Sequence, residues 1–431
     1  MTDSTFNQEI RQKVFDNVVG IVERKLYDPG LNGVDWRRIS AERRATIVSA
    51  ENREDFESRM NELVRELRVS HAGFFSEKRP LAAAKIAIGA TFHNGGSRWI
   101  FQDVHPGGPA YGAGVQPGDT LIAVAGAESI PPKMPIFALG EAVSVDLERR
   151  NGKHETVQIH VPVSKKKNRP LVELQPATWT KLPEGIGYLK ITMFPGMVGI
   201  DLARDVDRAV KELDAEELII DLRGNSGGGM GCLRVMSYLT PSRLPVGYSV
   251  TRKDMDQPRF DKNRLPQFDR IPDRKTGLIP LMFRFALHGR SVAVFTEAKG
   301  PQPFQGRVVI LVNEHSASSA EMITAFAAEN RLGTVVGSRT AGRLLGGNSF
   351  KVGHGYRIAL PVVAYRTWLD AKLEGKGIEP DVAAPFSPEP LRDGVDTQLR
   401  AAVEALSNGT SHRTRTGAVI QPPTSRLEAR T

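Results

Sequence analysis

The sequence predicts an α/β fold built from three consecutive parts: a helical N-terminal region, a small β-rich module, and a larger sheet flanked by helices. Three observations predict it. Apolar residues recur at the helical period over residues 6–68, short strand-like runs follow from about residue 83 to 162, and strands alternate with amphipathic helices over residues 171–385. A chain of 431 residues, 40% of them hydrophobic, can bury two or three folded units.

The N-terminal part, residues 1–78, is predicted to be a helical domain. Apolar side chains recur around Val14 and Val18, and again around Phe56 and Met60, at spacings that place them on one face of a helix. Pro29 and Gly30 interrupt the pattern between these two stretches. We therefore expect separate helices joined by a turn.

Residues 79–164 are predicted to form the β-rich module. Five strand-like runs are separated by Gly, Pro and Asn, and they read KIAIGATF, SRWIFQDV, DTLIAVAG, AVSVDLER and ETVQIHVP. The basic stretch KKKNRP at 165–170 follows and is predicted to be a solvated linker.

Residues 170–390 are predicted to form the sheet flanked by helices. GYLKITMF, EELIIDLR and RVVILVN are expected to be strands, and IDLARDVDRAVKEL and SSAEMITAFAAEN to be helices. The polar, proline-spotted stretch 252–280 is predicted to be a long surface insertion. A C-terminal helix is expected at 391–407 and a disordered tail at 408–431.

Composition excludes several classes of protein. The net charge of +9 is not arranged as the aromatic-interleaved basic stripe that binds nucleic acid. One cysteine, Cys232, cannot form an internal disulfide, and no HExxH or clustered Cys/His pattern indicates a metal site. No apolar run has the length of a membrane span, and the N-terminus has no apolar leader. These features favour a cytoplasmic protein, or a periplasmic or secreted one if a leader has been removed.

The segment LVNEHSASSAEM, residues 311–322, places Ser318 between a buried strand and a helix. The first N–H groups of that helix have no partner within it, and its dipole favours an oxyanion beside them. An acyl-transfer nucleophile needs this arrangement. Serines at such a position can instead serve only as a helix cap, with Glu321 completing a capping box from Ser318.

The second candidate segment is IIDLRGNSGGGMG, residues 219–231. Its glycines follow a strand and leave the amides of Gly227 and Gly228 open to a negatively charged oxygen. A phosphate loop is excluded because the Gly-Lys-Ser/Thr ending and the dinucleotide spacing are both absent. The glycines can also be required only for a tight turn.

Taken together, the two segments resemble the carboxyl-terminal processing (tail-specific) peptidase family, whose core carries a DLRxNxGG turn followed by NxxSxSxxE. This sequence matches the two motifs at Asp221, Leu222, Arg223, Asn225, Gly227, Gly228, Asn313, Ser316, Ser318 and Glu321. The resemblance implies that Ser318 is the nucleophile. It also implies oxyanion donors from Ser319 N–H and from Gly227 or Gly228, with no metal or organic cofactor.

One departure from the family concerns the general base. Many members place a lysine 25 residues after the serine, and Arg343 stands at that position here. Arginine does not release its proton near neutral pH. The tricorn-like branch instead uses a Ser-His pair and a glutamate, which Ser70-His71 and Glu374 match. The resemblance then implies that His71 is the base and that Glu374, through Ser70, orients it.

Two assignments stay open at this point. His315 is the rival base, although it lies only three residues before Ser318 on one loop. Arg343 is either a clamp that binds substrate or part of a structural ion pair.

The same resemblance extends over most of the chain. PGGPAYGAGVQPGDTLIAVAG, residues 106–126, looks like part of a PDZ domain, and GKGIEPDV, residues 375–382, looks like the closing turn of a crotonase-like protease core. A PDZ-like module implies binding of extended peptide ends, with Ile88 and Gly89 in the candidate carboxylate loop.

The sequence therefore predicts a Ser-His-Glu peptidase that hydrolyses peptide bonds in unstructured or C-terminal polypeptide segments. It also allows assembly into a homo-oligomer. A catalytically silent, PDZ-containing adaptor on the same fold is the first alternative, supported by the change from lysine to arginine. An esterase or amidase acting on small substrates is the second.

Overall fold

The structure is a computed structural model that describes residues 6–77, 81–163, 174–255, 260–272, 274–277, 291–297 and 300–407. The predicted linker at 165–170 and the predicted disordered tail at 408–431 lie outside the described residues. No described helix combines the length and the apolar character needed to cross a membrane.

Helices and strands are labelled in chain order. Among the described residues the helices are α1 (Gln8–Lys25), α2 (Trp36–Val48), α3 (Arg53–Arg65), α4 (Ala84–Ala87), α5 (Pro109–Gly112), α6 (Ile200–Leu213), α7 (Cys232–Tyr238), α8 (Arg252–Met255), α9 (Ser319–Glu329), α10 (Pro388–Arg392) and α11 (Thr397–Ser407). The strands are β1 (Gly73–Ser76), β2 (Leu81–Ala83), β3 (Ala90–Asn94), β4 (Trp99–Val104), β5 (Thr120–Val124), β6 (Ala127–Glu128), β7 (Ile136–Ala138), β8 (Ala142–Glu148), β9 (His154–His160), β10 (Ala177–Lys181), β11 (Gly187–Ile191), β12 (Glu217–Asp221), β13 (Pro245–Thr251), β14 (Gln267–Phe268), β15 (Val292–Phe295), β16 (Arg307–Val312), β17 (Thr334–Gly337), β18 (Leu345–Gly353), β19 (Tyr356–Thr367) and β20 (Val382–Ala383).

The central sheet has the strand order β10-β11-β12-β16-β17-β20, and all neighbours except β10 and β11 run parallel. Helices α6, α7 and α9 bury their apolar faces with one side of this sheet, and α11 packs with the other. Strands β12 and β16 are buried almost throughout, as expected for parallel strands covered on both faces. Because β11, β12 and β16 are parallel, their carboxyl ends meet at one edge.

The N-terminal helices pack on a second sheet, not on one another alone. That sheet has the order β1-β19-β13-β15-β14, with β18 also paired to β19. A cluster of aromatic rings joins the two layers, with Phe74 and Tyr356 of the sheet stacked at 5.0 Å and Phe56 of α3 set edge-on to both. The predicted helical domain therefore shares one hydrophobic core with strands that lie more than 170 residues later.

The β-module, residues 81–163, has a sheet in the order β3-β4-β5-β8-β9, with β6 paired to β5, and a separate β2-β7 pair. Its own core includes Phe92, Phe101 and Leu147. The predicted first strand is only partly correct. Residues 84–87 form the helical turn α4, and Gly89, with φ +70°, then turns the chain into β3.

Two other sequence predictions need correction. The insertion at 252–280 is not purely a surface segment, because β14 joins the second sheet and Phe268 and Ile271 are buried. The single C-terminal helix predicted at 391–407 is two helices. Gly394, with φ +81°, ends the first, and the Asp396 carboxylate caps the second by accepting the N–H groups of Gln398 and Leu399.

Candidate active site

Ser318 lies at a sharp strand-to-helix elbow. The loop 313–318, here called the nucleophile loop, follows β16 at the carboxyl edge of the central sheet and leads directly into α9. Ser318 has φ 56° and ψ −118°, a conformation that non-glycine residues adopt at a cost of roughly 1–3 kcal/mol. Strain of this kind in a strand–turn–helix elbow is what exposes a nucleophilic hydroxyl.

Glu321 holds the elbow in place through four hydrogen bonds. Its fully buried carboxylate accepts the backbone N–H of Ser318 at 3.0 Å and the hydroxyl of Thr340 at 2.7 Å. It also accepts the N–H groups of Gly342 and Arg343 at 2.8 and 2.9 Å. Ser318 is therefore the cap residue of α9, and Glu321 holds the 340–343 turn beside it, so the half-buried Ser318 has the capping position and the place of the predicted nucleophile together.

The glycine loop, residues 222–229, runs alongside Ser318. A side-chain carbon added at Gly227 would lie 2.4 Å from Ser318 Cβ, so only glycine allows this approach. The Gly227 N–H donates to Asn225 Oδ1 at 2.7 Å and is not available to an oxyanion. Of the three predicted oxyanion donors, Gly227 is therefore needed for the close approach to Ser318, and its N–H is not an oxyanion donor.

The two other predicted donors are Gly228 and Ser319. Phe194 pairs with the loop through the Gly227 carbonyl and the Gly229 N–H, which leaves the Gly228 N–H outside that pairing. The Ser319 hydroxyl donates to the Gly228 carbonyl at 2.9 Å. Within the described part of the chain, neither the Gly228 N–H nor the Ser319 N–H is bonded to another residue. Both remain available to a developing negative charge.

His71, Ser70 and Glu374 are brought together although Glu374 lies 304 residues after Ser70. The Ser70 hydroxyl is 2.8 Å from His71 Nδ1 and 3.0 Å from Glu374 Oε2, and the Ser70 N–H donates to Glu374 Oε1 at 2.7 Å. A carboxylate only accepts, so the single hydroxyl proton goes to Glu374 and His71 Nδ1 must be the donor to Ser70. His71 Nε2 then carries the lone pair, as a general base requires.

A continuous hydrogen-bonded path links this relay to the elbow. Glu374 Oε2 also accepts the N–H of Leu344 at 3.0 Å, and the preceding amide, Arg343 N–H, is bound by Glu321. The turn at 340–344 is thus held by Glu321 on the Ser318 side and by Glu374 on the His71 side. The described contacts include no direct hydrogen bond between Ser318 and His71, and such contacts often tighten only with substrate bound.

The electrostatic setting of His71 favours the neutral imidazole. Part of the ring faces solvent, but the surrounding protein atoms desolvate it and lower its pKa below 6.5, and Arg343 lowers the pKa further. Glu374 acts in the opposite direction and raises it. The net result is a base that is unprotonated near neutral pH.

His315, the rival base, is turned toward the β-module. Its Nε2 lies 3.1 Å from the Phe92 carbonyl of β3, and its own carbonyl accepts Lys85 Nζ at 2.8 Å. Burial lowers the pKa of His315. A ring nitrogen committed to a backbone carbonyl has to donate there, so this orientation does not present Nε2 to Ser318 as a base.

Arg343 is exposed and forms no ion pair with another described residue. The structural-ion-pair alternative is therefore not realised among the described residues, and the guanidinium is available to a ligand. Ile88, in the predicted carboxylate loop, is not available in this way, because its N–H donates to the Ala84 carbonyl at 2.7 Å. Ile88 is fully buried, and Leu174 packs so closely on Gly89 that an added side-chain carbon would lie 2.7 Å from it.

Sequence reasoning missed Lys85 and Asp103, both in the β-module. Lys85 donates a hydrogen bond to the His315 carbonyl. Burial lowers the pKa of Lys85 to about 7; the negative charge of Asp103 raises this pKa, and the positive charges of Arg343 and Lys190 lower it further. The buried Asp103 carboxylate contacts Asn313 Nδ2 at 3.0 and 3.3 Å. No sequence signal could locate them, because each lies more than 200 residues from the loop it contacts.

Comparison with known proteins shows which family this chain resembles. Residues 185–384 match peptidase family S41. The chain is 26% identical over 428 residues to a tricorn protease homologue (homologue 2) of Streptomyces coelicolor, covering 92% of this chain and 32% of that protein. It is 24% identical over 319 residues to the carboxyl-terminal-processing protease of Synechocystis sp., covering 71% of this chain and 64% of that protein. The chain thus spans about a third of the first relative and just under two thirds of the second.

Among solved structures, the fold resembles that of the photosystem II D1 C-terminal processing protease, with a TM-score of 0.55 at 19% identity over 92% of this chain and 97% of that one. Mature CPAF complexed with lactacystin gives the same TM-score at 14% identity, over 93% of this chain and 97% of that one. The predicted α/β fold class and the resemblance to tail-specific and tricorn-like peptidases are confirmed.

Proposed function

We propose that this chain is a serine peptidase in which Ser318 is the nucleophile and His71 the general base, since residues 185–384 match peptidase family S41. The observation that carries the proposal is the relay of Ser70 and Glu374 behind His71, with Ser70 Oγ 2.8 Å from Nδ1 and 3.0 Å from Glu374. It supports a base whose Nε2 is free, in a chain where Arg343 replaces the usual lysine.

The proposed reaction follows acyl-transfer chemistry. His71 Nε2 accepts the Ser318 hydroxyl proton as Oγ attacks the scissile carbonyl, and the N–H groups of Gly228 and Ser319 stabilise the resulting oxyanion. The imidazolium then protonates the leaving amine, so that the C–N bond breaks and an acyl ester forms on Ser318. Water, deprotonated by His71, hydrolyses this ester and restores the hydroxyl. Glu374, through Ser70, offsets the charge on the imidazolium.

The proposed substrates are extended polypeptide segments, including C-terminal ones. The names of the carboxyl-terminal-processing relatives support this choice. The exposed Arg343 guanidinium beside the site is suited to a carboxylate of the substrate, such as an acidic side chain or a chain end. Assembly into a homo-oligomer remains a prediction.

The test is to measure fluorogenic peptide hydrolysis and labelling by a serine-directed fluorophosphonate for the intact chain and for Ser318→Ala. We expect the substitution to abolish both and to cost only about 1 kcal/mol of folding free energy, the usual effect of losing a helix cap. Ser97→Ala, in an exposed turn of the β-module, is the matched control and should keep full activity.

Two results would contradict the proposal. Full turnover by Ser318→Ala would place the nucleophile elsewhere. An intact chain that binds peptides but neither hydrolyses them nor accepts the label would favour the adaptor alternative. Rapid ester turnover with no peptide cleavage would instead favour an esterase.

A further inference from the structure

The β-module is attached to both active-site loops through one buried polar contact zone. Strand β3 supplies the Phe92 carbonyl, and strand β4 supplies Asp103. His105, the residue after β4, has its Nε2 3.2 Å from the Gly224 carbonyl of the glycine loop. His93 of β3 lies 3.8 Å from Glu314 of the nucleophile loop. These contacts join the module directly to the segments that carry Ser318 and Gly228.

Asn313 is the centre of this zone because its side-chain amide serves three segments. Its Oδ1 accepts the Gly224 N–H at 2.9 Å and the His315 N–H at 3.1 Å, which ties the glycine loop to the nucleophile loop. Its Nδ2 donates to Asp103. An amide group can be rotated by 180°, and only its partners decide which end is the acceptor.

Asp103 is the partner that enforces this orientation from the Nδ2 side. Its carboxylate also accepts the Thr91 hydroxyl at 2.5 Å, and its own backbone N–H donates to Thr91 Oγ1 at 3.1 Å, so the group is held from within the module. A carboxylate can only accept, and it therefore requires a donor at the Asn313 end that faces it. Asn313 Oδ1 is then left toward the two loop amides.

We propose that Asp103 is a positioning residue of the active site, which orients the Asn313 amide and thereby sets the spacing of the glycine and nucleophile loops that carry Gly228 and Ser318. The inference deepens the proposed peptidase function and rests on it. It also makes the β-module a constituent of the catalytic apparatus, and not only a surface for binding peptide ends.

The ionisation state of Asp103 supports this role. Burial by itself would raise its pKa, but the positive charge of Lys190, the neighbouring His105 and His315 and the Thr91 hydrogen bond together lower the pKa to about 2. Asp103 is therefore an acceptor at any pH at which the protein would work.

The first test measures hydrogen–deuterium exchange of the Gly224 and His315 amides in the full chain carrying Asp103→Asn. The substitution replaces an acceptor-only carboxylate with an amide whose NH2 group can also face residue 313, so Asn313 can rotate and the two backbone amides then lose their acceptor. We expect their exchange to accelerate at least about tenfold, the effect of losing one buried hydrogen bond of ordinary strength. The matched control is Asp146→Asn. Asp146 accepts the Thr156 hydroxyl at 2.6 Å across strands of the same module, but on its exposed side.

The second test is kinetic. We expect Asp103→Asn to lower kcat by about 10- to 100-fold with little change in KM, because the substitution displaces transition-state donors and leaves peptide binding intact. The double variant Asp103→Asn/Asn313→Asp exchanges donor and acceptor and restores the hydrogen bond between these two side chains with the same net buried charge. It should recover kcat to within about threefold of the starting protein. If Asp103 acted on folding alone, the double variant would not have a higher kcat than Asp103→Asn when the two variants are equally stable to heat.

The inference is overturned if Asp103→Asn leaves both amide exchange and kcat unchanged, or if the exchanged pair is no better than Asp103→Asn alone while it remains folded. Failure of the proposed function would look different. A chain that never labels at Ser318, yet shows the expected exchange changes and their reversal in the double variant, would retain Asp103 as the residue that orders the two loops.

Discussion

Of the two ring nitrogens of His71, Nδ1 has a hydrogen-bond partner and Nε2 has none among the described residues. This difference determines which nitrogen can act as a base. Nδ1 is hydrogen-bonded to Ser70, which is hydrogen-bonded to Glu374, so the proton transfer proposed for Ser318 would use Nε2. The sequence could indicate Ser70, His71 and Glu374 through their resemblance to a known pattern. The order of the hydrogen bonds, which fixes the tautomer, is visible only in the folded structure.

The lowered pKa of His71 gives a pH prediction. The base must be neutral to act, so kcat/KM should fall as pH drops through this pKa, and the acidic limb should lie below pH 6.5. His71→Ala should reduce kcat by about 10³-fold or more, as removal of a triad member does. The measurement is a pH profile of kcat/KM from pH 4.5 to 9, with His154→Ala, an exposed position on β9, as the control. A limb near pH 7 that moves in Lys85→Met would instead identify Lys85 as the base.

Arg343 gives a prediction about substrate binding. Its guanidinium is exposed, and its backbone N–H, not its side chain, is what Glu321 holds. Arg343→Ala should therefore raise KM for peptides that carry a carboxylate near the cleaved bond by about fivefold or more, and change kcat much less. Comparing acidic with neutral peptides of equal length tests this. Complete loss of activity toward both, with the fold preserved, would make Arg343 essential to the chemistry.

At the scale of single elements, the elbow depends on one carboxylate. Glu321→Ala would leave four donors without an acceptor, and an unsatisfied buried group costs about 1–3 kcal/mol. We expect a loss of at least about 3 kcal/mol in the free energy of unfolding, measured in urea, together with loss of serine labelling. Glu404→Ala, on the exposed face of α11, is the control and should change stability by well under 1 kcal/mol. Retained stability in Glu321→Ala would mean that water replaces the carboxylate.

Most helices and strands follow from their own residues, and the exceptions have physical causes. The period of α6 and the buried runs of β12 and β16 are local properties, so the sequence could predict them. The sequence of the turn α4 predicts a strand because Lys85 and Ile86 alternate in polarity. In the structure, however, Lys85 is held by a hydrogen bond to the His315 carbonyl, 230 residues later in the chain. Contacts of this length, like that of Asp103 with Asn313, leave no trace in local pattern.

At the scale of the whole molecule, the N-terminal helices and the second sheet form one core, and His71 sits on the connection between α3 and β1. Phe56→Ala should lower the free energy of unfolding by about 3–5 kcal/mol. Unfolding of the helices and loss of Ser318 labelling should shift together to a lower temperature. The measurement compares unfolding by circular dichroism with loss of fluorophosphonate labelling. If the helices melted separately while labelling persisted, His71 would not be needed for a reactive serine.

The distance in sequence between Ser70 and Glu374 has a consequence for the synthesis of the chain. The ribosome delivers the histidine segment first, the serine elbow some 250 residues later and the glutamate last. A nascent chain can therefore expose Ser318 before the group that sets the tautomer of His71 has emerged, so the proposed relay of Ser70, His71 and Glu374 is complete only after residue 374 has been synthesised.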